Sequence, residues 1–117
     1  MTFPLTLLKQ VMVSVVIPVF NRSELLQRAI ESVSRQSVDD LEIIVVDDHS
    51  TEDIESICNH LHCRYLPNLG QGVSAARNAG ITAAKFPYVA FLDSDDEWLP
   101  EKIEVQLLYM KERPHLK

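Results

Sequence analysis

Phe91-Leu92-Asp93-Ser94-Asp95-Asp96-Glu97 is the stretch on which the reading of this chain turns. An apolar run, Tyr88 to Leu92, leads into it and is bounded by Pro87, which predicts a short buried strand. Four carboxylates within five residues follow at the strand's C-terminal end. Ligands of open α/β sheets bind outside those ends. Clustered carboxylates repel one another unless water, donors or a cation compensate them. A hard divalent cation, Mg²⁺ or Mn²⁺, is the simplest compensation because it prefers oxygen ligands. Taken alone, such a run reads as a solvated, helix-capping loop. Its position after a buried strand, with a second acidic pair upstream, favours a ligand site.

Outward from that turn the chain alternates strand and helix. Val13 to Ile17 is β-branched and continuous, so it predicts a strand buried on both faces, ended by Pro18. Asn21 and Glu24, or Ser23 instead, read as the cap of a helix whose apolar face is Leu25, Leu26, Ala29, Ile30 and Val33. Leu41 to Val46 predicts a second buried strand, ending in Asp47 and Asp48, with Ser50 as the next N-cap. Ile54, Ile57, Cys58 and Leu61 form its helix stripe. Cys63 to Leu66 predicts a weaker strand. Gly70 and Gly72 mark a tight loop before an alanine-rich helix, Val73 to Lys85, with Val73, Ala76, Gly80, Ile81 and Ala84 inward. Pro100 opens a last helix. Four such alternations predict an open, mainly parallel sheet with helices on both faces, a Rossmann-like α/β fold. Residues 1–12 read as a leader outside the core, and residues 13–117 as one domain.

In a parallel sheet the polar ends of strands one, two and four share an edge. Carboxylates from two strands therefore converge there, with Arg22 nearby, an arrangement that suits a nucleotide: one acid on base or ribose, another on a metal facing the diphosphate. Helix capping by Asp47 or Asp48 is the structural alternative, though only one of the two is needed for it. Arg77 lies close to the inward stripe of its helix and needs a partner, either an acid of the cluster or a ligand phosphate or base.

The 117 residues are 46% hydrophobic and 24% charged with a net charge of −6, ordinary for a globular domain and unfavourable for non-specific nucleic-acid binding. No apolar run approaches the ~20 residues of a membrane span. Two cysteines without a secretory signal suggest free thiols and a cytoplasmic location, with peripheral attachment at the inner membrane face as a variant.

Several motifs compete with this reading. Gly70-Gln71-Gly72-Val73-Ser74-Ala75 fits a dinucleotide fingerprint, but the polar strand before it is not the central buried strand that such a fold needs. Cys58, His60, His62 and Cys63 hold zinc-type ligands in one short run rather than two separated pairs, and core packing is the better use of Cys58. An acidic pair after a β-branched run also suggests a phosphoacceptor receiver domain, but here the pair is on the second strand and the third strand has no Asp. A metal-dependent nucleotidyltransferase usually carries a basic, Gly-rich loop after strand one, and Pro18 to Ser23 is not one.

Val-Ser-Val-Val-Ile-Pro-Val-Phe-Asn-Arg, Ile-Val-Val-Asp-Asp-His-Ser-Thr-Glu-Asp, Gly-Val-Ser-Ala-Ala-Arg-Asn-Ala-Gly and Phe-Leu-Asp-Ser-Asp-Asp-Glu-Trp-Leu-Pro occur in that order. Together, over about residues 13–111, they resemble the family 2 glycosyltransferases of the GT-A fold. The resemblance implies a nucleotide-sugar donor, usually a UDP-sugar, a divalent metal, Mn²⁺ or Mg²⁺, and inversion at the anomeric carbon. It implies that Pro18, Val19, Phe20 and Asn21 form the loop holding base and ribose, that Asp48 reads the base, and that Arg77 lies near it. Asp93, Ser94 and Asp95 match the D-x-D signature. Asp93 and Ser94 then meet the donor, and Asp95 or Asp96 the metal, since Asp-Ser-Asp-Asp permits two alignments. His49 stands where the family usually has glycine or asparagine, which implies a side chain in a tight turn. Enzymes of the family are roughly twice this length. The general base and acceptor site are therefore expected outside this chain, and the missing half is expected to leave sheet surface open to self-association.

Overall fold

The computed structural model describes residues 12–36 and 40–94. Most of the expected leader, the last helix from Pro100, and Asp95, Asp96 and Glu97 lie outside the described residues. The elements are β1 (Val13–Val19), α1 (Ser23–Ser34), β2 (Leu41–Asp47), α2 (Ile54–His60), β3 (Arg64–Pro67), α3 (Gly72–Ala83) and β4 (Tyr88–Phe91). They form a four-stranded sheet of order β3-β2-β1-β4 in which every pair is parallel. The expected open parallel α/β architecture is the one observed.

Every residue of β1 is buried, because β1 lies inside the sheet and both its faces are covered. The pleat divides its side chains. Val15, Ile17 and Val19 join Leu26, Ala29, Ile30 and Val33 of α1 and Ile54 and Cys58 of α2 in one core. Val16 joins Ile44, Val46 and Ala76 in a second core on the α3 side. Each fully buried aliphatic side chain contributes about 1.5–3 kcal/mol, so these two layers are the main source of stability.

Contrary to the expectation that Pro18 ends the first strand, it lies within β1. It stays in register opposite Val46, and β1 runs on to Val19. The Val16 carbonyl accepts from the Leu92 N–H at 3.1 Å and the Val19 carbonyl from the Asp48 N–H at 2.8 Å. Even-numbered residues of β1 therefore turn their backbone groups toward β4 and odd-numbered ones toward β2. Pairing with β4 stops at Val16 opposite Phe91, so Pro18 lacks its N–H where there is no ladder partner to miss it.

The face of α3 also departs from the expected stripe. Ala76 and Gly80 are buried, Ala79 and Ala83 pack beside them, but Val73 and Ile81 are 47% and 48% exposed. The helix approaches β1 too closely to admit large side chains: a Cβ on Gly80 would lie 2.3 Å from Val16 Cγ1.

At the other end of the sheet, Glu42 fastens four segments. Its carboxylate accepts from the Ser14 hydroxyl at 2.6 Å, from the Lys85 N–H at 3.0 Å, and from Arg64, which also donates to the Ala83 carbonyl at 2.9 Å. Burial pushes the Glu42 carboxyl up, but these donors outweigh it and hold it below its ordinary 4.5. Cys58 is buried and Cys63 half-buried, and neither is in a disulfide. Burial raises their thiols to about 12 and about 11. Among the described residues no group of three His, Cys, Asp or Glu side chains gathers to hold a metal, and no helix is long and apolar enough to cross a membrane.

Candidate functional site

The C-terminal ends of β1, β2 and β4 meet on one edge of the sheet, as parallel pairing requires. An open pocket of about 350 Å³ lies over the ends of β1 and β4, lined by Pro18, Phe20, Arg22, Val73, Asp93 and Ser94. Pro18, Phe20, Asp93 and Ser94 are four of the residues expected there. Phe20 is 57% exposed, so its aromatic ring is accessible at the pocket.

The other expected residues surround the pocket without lining it. Val19 points away: its side chain is 1% exposed and belongs to the core. Asn21 spends its amide on the next loop, its Oδ1 accepting from the N–H groups of Thr51 at 2.9 Å and Glu52 at 3.1 Å. Arg77 donates to Asp93 Oδ1 at 3.3 Å and stands 5.7 Å from the centroid of the Phe91 ring, within cation–π range. Its Nε is buried with no hydrogen-bond partner among the described residues. Arg77 and Asp93 are 41% and 54% exposed, so the pair contributes little to stability, roughly 0–1 kcal/mol. What it does is hold one Asp93 oxygen at the pocket rim. Asp95 and Asp96 lie outside the described residues.

The two acids ending β2 divide their work. Asp47 is buried and structural: its Oδ1 accepts from the Ser50 N–H at 3.0 Å and its Oδ2 from the Tyr65 hydroxyl at 2.8 Å. Burial first, and then the Asp47 charge, push the Tyr65 phenol up to about 12. Asp48, 23% exposed, accepts from Asn68 Nδ2 at 3.0 Å and from the Gly72 N–H, 3.2 Å from each of its oxygens. It thereby places a negative charge at the N-terminus of α3, where the helix dipole favours one. Neither acid caps α2. That is done by Asp53, which accepts from the Ser56 N–H at 3.1 Å, while Ser50, expected as the cap, accepts from the Asn21 N–H at 2.7 Å. His49, expected to place a side chain in a tight turn, adopts a left-handed φ of 62°, with Nε2 2.8 Å from the Gly70 carbonyl oxygen.

Four residues have roles outside the expectations drawn from the sequence: Val73, Asn68, Glu52 and Asp53. Val73, expected in the core, lies in the first turn of α3 and lines the pocket. Asn68 is 3% exposed and joins Asp48 to the α3 loop. Glu52 reaches back to the start of α1, and no local spacing signals that contact. For Asp53 a signal was present in the Asp-x-x-Ser spacing.

A glycosyltransferase of Rickettsia felis, itself uncharacterized, is 47% identical over 115 residues, covering 92% of this chain and 19% of the relative. The solved structure of S. aureus TarS 1-349 in complex with UDP-GlcNAc superposes with a TM-score of 0.78 at 23% identity, over 88% of this chain and 32% of that one. The mannosyltransferase PcManGT from Pyrobaculum calidifontis, in complex with GDP-Man and Mn²⁺, gives a TM-score of 0.68 at 23% identity, over 74% of this chain and 28% of that one. The chain thus spans a third or less of the length of these three proteins. The two solved structures share its α/β fold. With residues 14–116 matching the model described as Glycosyl transferase family 2, the chain belongs to the family 2 glycosyltransferases.

Proposed function

We propose that the pocket over β1 and β4 receives the nucleotide part of a nucleotide-sugar donor, a UDP-sugar, for inverting transfer to an acceptor hydroxyl. The observation that carries this reading is the convergence of Pro18, Phe20, Asp93 and Ser94, from two distant stretches, on one pocket. Phe20 offers its ring to the base beside Pro18. Asp48 reads the base edge with the lone pairs that Gly72 and Asn68 leave free. Asp93, steadied by Arg77, meets the ribose, with Ser94 beside it. Arg22 and Val73 complete the wall, and the guanidinium charge suits a diphosphate. This assignment, like the family match, sets the nucleotidyltransferase and receiver readings aside.

A half-exposed carboxylate such as Asp93 is the hard oxygen donor that Mg²⁺ and Mn²⁺ prefer, and the acidic turn it opens fits such an ion. Asp95 or Asp96 would hold it. A divalent cation supplies positive charge against the departing diphosphate. The chain's own residues bind and orient the donor. The base that deprotonates the acceptor is assigned to none of the described residues.

Calorimetric titration of UDP tests this reading. Affinity with Mn²⁺ should exceed that with EDTA by about tenfold or more, roughly 1.4 kcal/mol. Equal affinities would show that the acidic turn does not act through a metal, and no binding in either buffer would refute the pocket assignment. GDP as competitor separates base recognition from diphosphate recognition.

A further inference from the structure

Between Phe20 and α1 the backbone takes two consecutive left-handed residues, Asn21 at φ 56° and Arg22 at φ 59°. Non-glycine residues in that region are strained and persist only where surrounding structure over-determines them. Here the surrounding structure is the loop after β2. The Glu52 carboxylate accepts from the Arg22 N–H at 2.9 Å, the Ser23 N–H at 3.4 Å and the Ser23 hydroxyl at 2.8 Å. Residue 22, the N-cap of α1, makes no side-chain cap of its own, so a carboxylate from another loop takes that place. In return, Asn21 Oδ1 accepts from Thr51 and Glu52 N–H and from the Thr51 hydroxyl at 3.3 Å. The Asn21 N–H donates to Ser50, whose own N–H is held by Asp47.

We propose that Glu52 is a positioning residue for donor binding: with Asn21 it clasps the β1–α1 loop in the strained conformation that presents Phe20 and Arg22 to the pocket. Glu52 does not line the pocket and acts only through these neighbours. The inference rests on the donor reading above. Hydrogen bonds from Ser23, and then the Arg22 N–H, hold the Glu52 carboxyl below its ordinary range, so the clasp is ionised near neutral pH. Without the carboxylate the loop can relieve its strain. Apparent affinity then falls in proportion to the population that keeps the competent loop, about tenfold for a loop competent one-tenth of the time.

The test compares Glu52→Ala, Glu52→Gln and Asp53→Ala by UDP calorimetry with Mn²⁺, alongside amide hydrogen exchange of Arg22 and Ser23 without ligand. Asp53→Ala removes the adjacent cap of α2 and leaves the clasp intact, so it controls for general destabilisation. Glu52→Ala should raise Kd about tenfold and speed exchange at both amides. Glu52→Gln, which keeps one acceptor oxygen, should recover part of the affinity, and Asp53→Ala should leave Kd unchanged. An unchanged Kd in Glu52→Ala, or an equal loss in Asp53→Ala, overturns the inference while leaving the donor reading in place. Wild-type protein that binds no UDP overturns the donor reading and this inference with it.

Discussion

Replacing Gly80 by alanine puts a methyl group where α3 touches the central strand. The new Cβ would lie 2.3, 2.8 and 3.1 Å from Cγ1, Cγ2 and Cβ of Val16. Turning Val16 about χ1 cannot clear the Cβ, and Val16 is fully buried in β1, between β2 and β4. The helix itself must therefore move. Overpacking of this kind costs about 1–3 kcal/mol, and so hard a contact belongs near ~3. Alanine returns about 1 kcal/mol of helix propensity. The net loss is about 2 kcal/mol, or a fall in Tm of about 10 °C for a domain of this size. Circular-dichroism melts and urea titrations read it directly. Because α3 carries Val73 and Arg77, UDP affinity should fall as well. Val16→Ala clears the two γ carbons, so the double variant should be more stable than the sum of its singles by about 1–2 kcal/mol. A Gly80→Ala protein as stable as wild type, or strict additivity in the double variant, would refute the close-approach account.

Glu42→Gln should lower stability at neutral pH by about 1.5–3 kcal/mol, because charge-assisted bonds are lost. It should also flatten the acid limb of the unfolding curve. The folded Glu42 pKa lies below 4.5, so its contribution is complete above that value and is lost as pH falls through the lowered one. An unchanged acid limb would count against this. Asp48→Ala leaves Asn68 and the Gly72 N–H short of an acceptor, at a cost of about 1–3 kcal/mol, and should weaken uridine binding even in EDTA; uridine titrations with and without metal check it. Asp95→Ala should weaken UDP binding only when Mn²⁺ is present, in the same calorimetric assay. The 117-residue chain alone should transfer no sugar, since general-base catalysis contributes about 10²–10⁴-fold and none of the described residues is assigned as the base. Turnover assays with acceptor panels measure this. Metal-dependent turnover near ~1 s⁻¹ would place a base within it.

The sheet was legible in the sequence because its cause is local. β-branched runs at Val13 to Ile17 and Leu41 to Val46 cannot be satisfied except by burial on both faces, and their alternation with helical stripes leaves parallel pairing as the economical arrangement. The place of Asp93 and Ser94 beside Pro18 and Phe20 follows from the same reading. Propensity misjudged Pro18, whose tolerance depends on where β4 stops pairing. Periodicity misjudged Val73 and Ile81, because the stripe that α3 buries is chosen by closeness to Val16 rather than by hydrophobicity. Cap rules named Ser50 and Asn21 for work that Asp53 and Glu52 perform, while the two named residues bind each other across loops. Only the tertiary structure could decide these points. Strand register and the crossovers bring together groups remote in the chain, and a hydrogen bond between such groups leaves no periodic trace in the residues that make it.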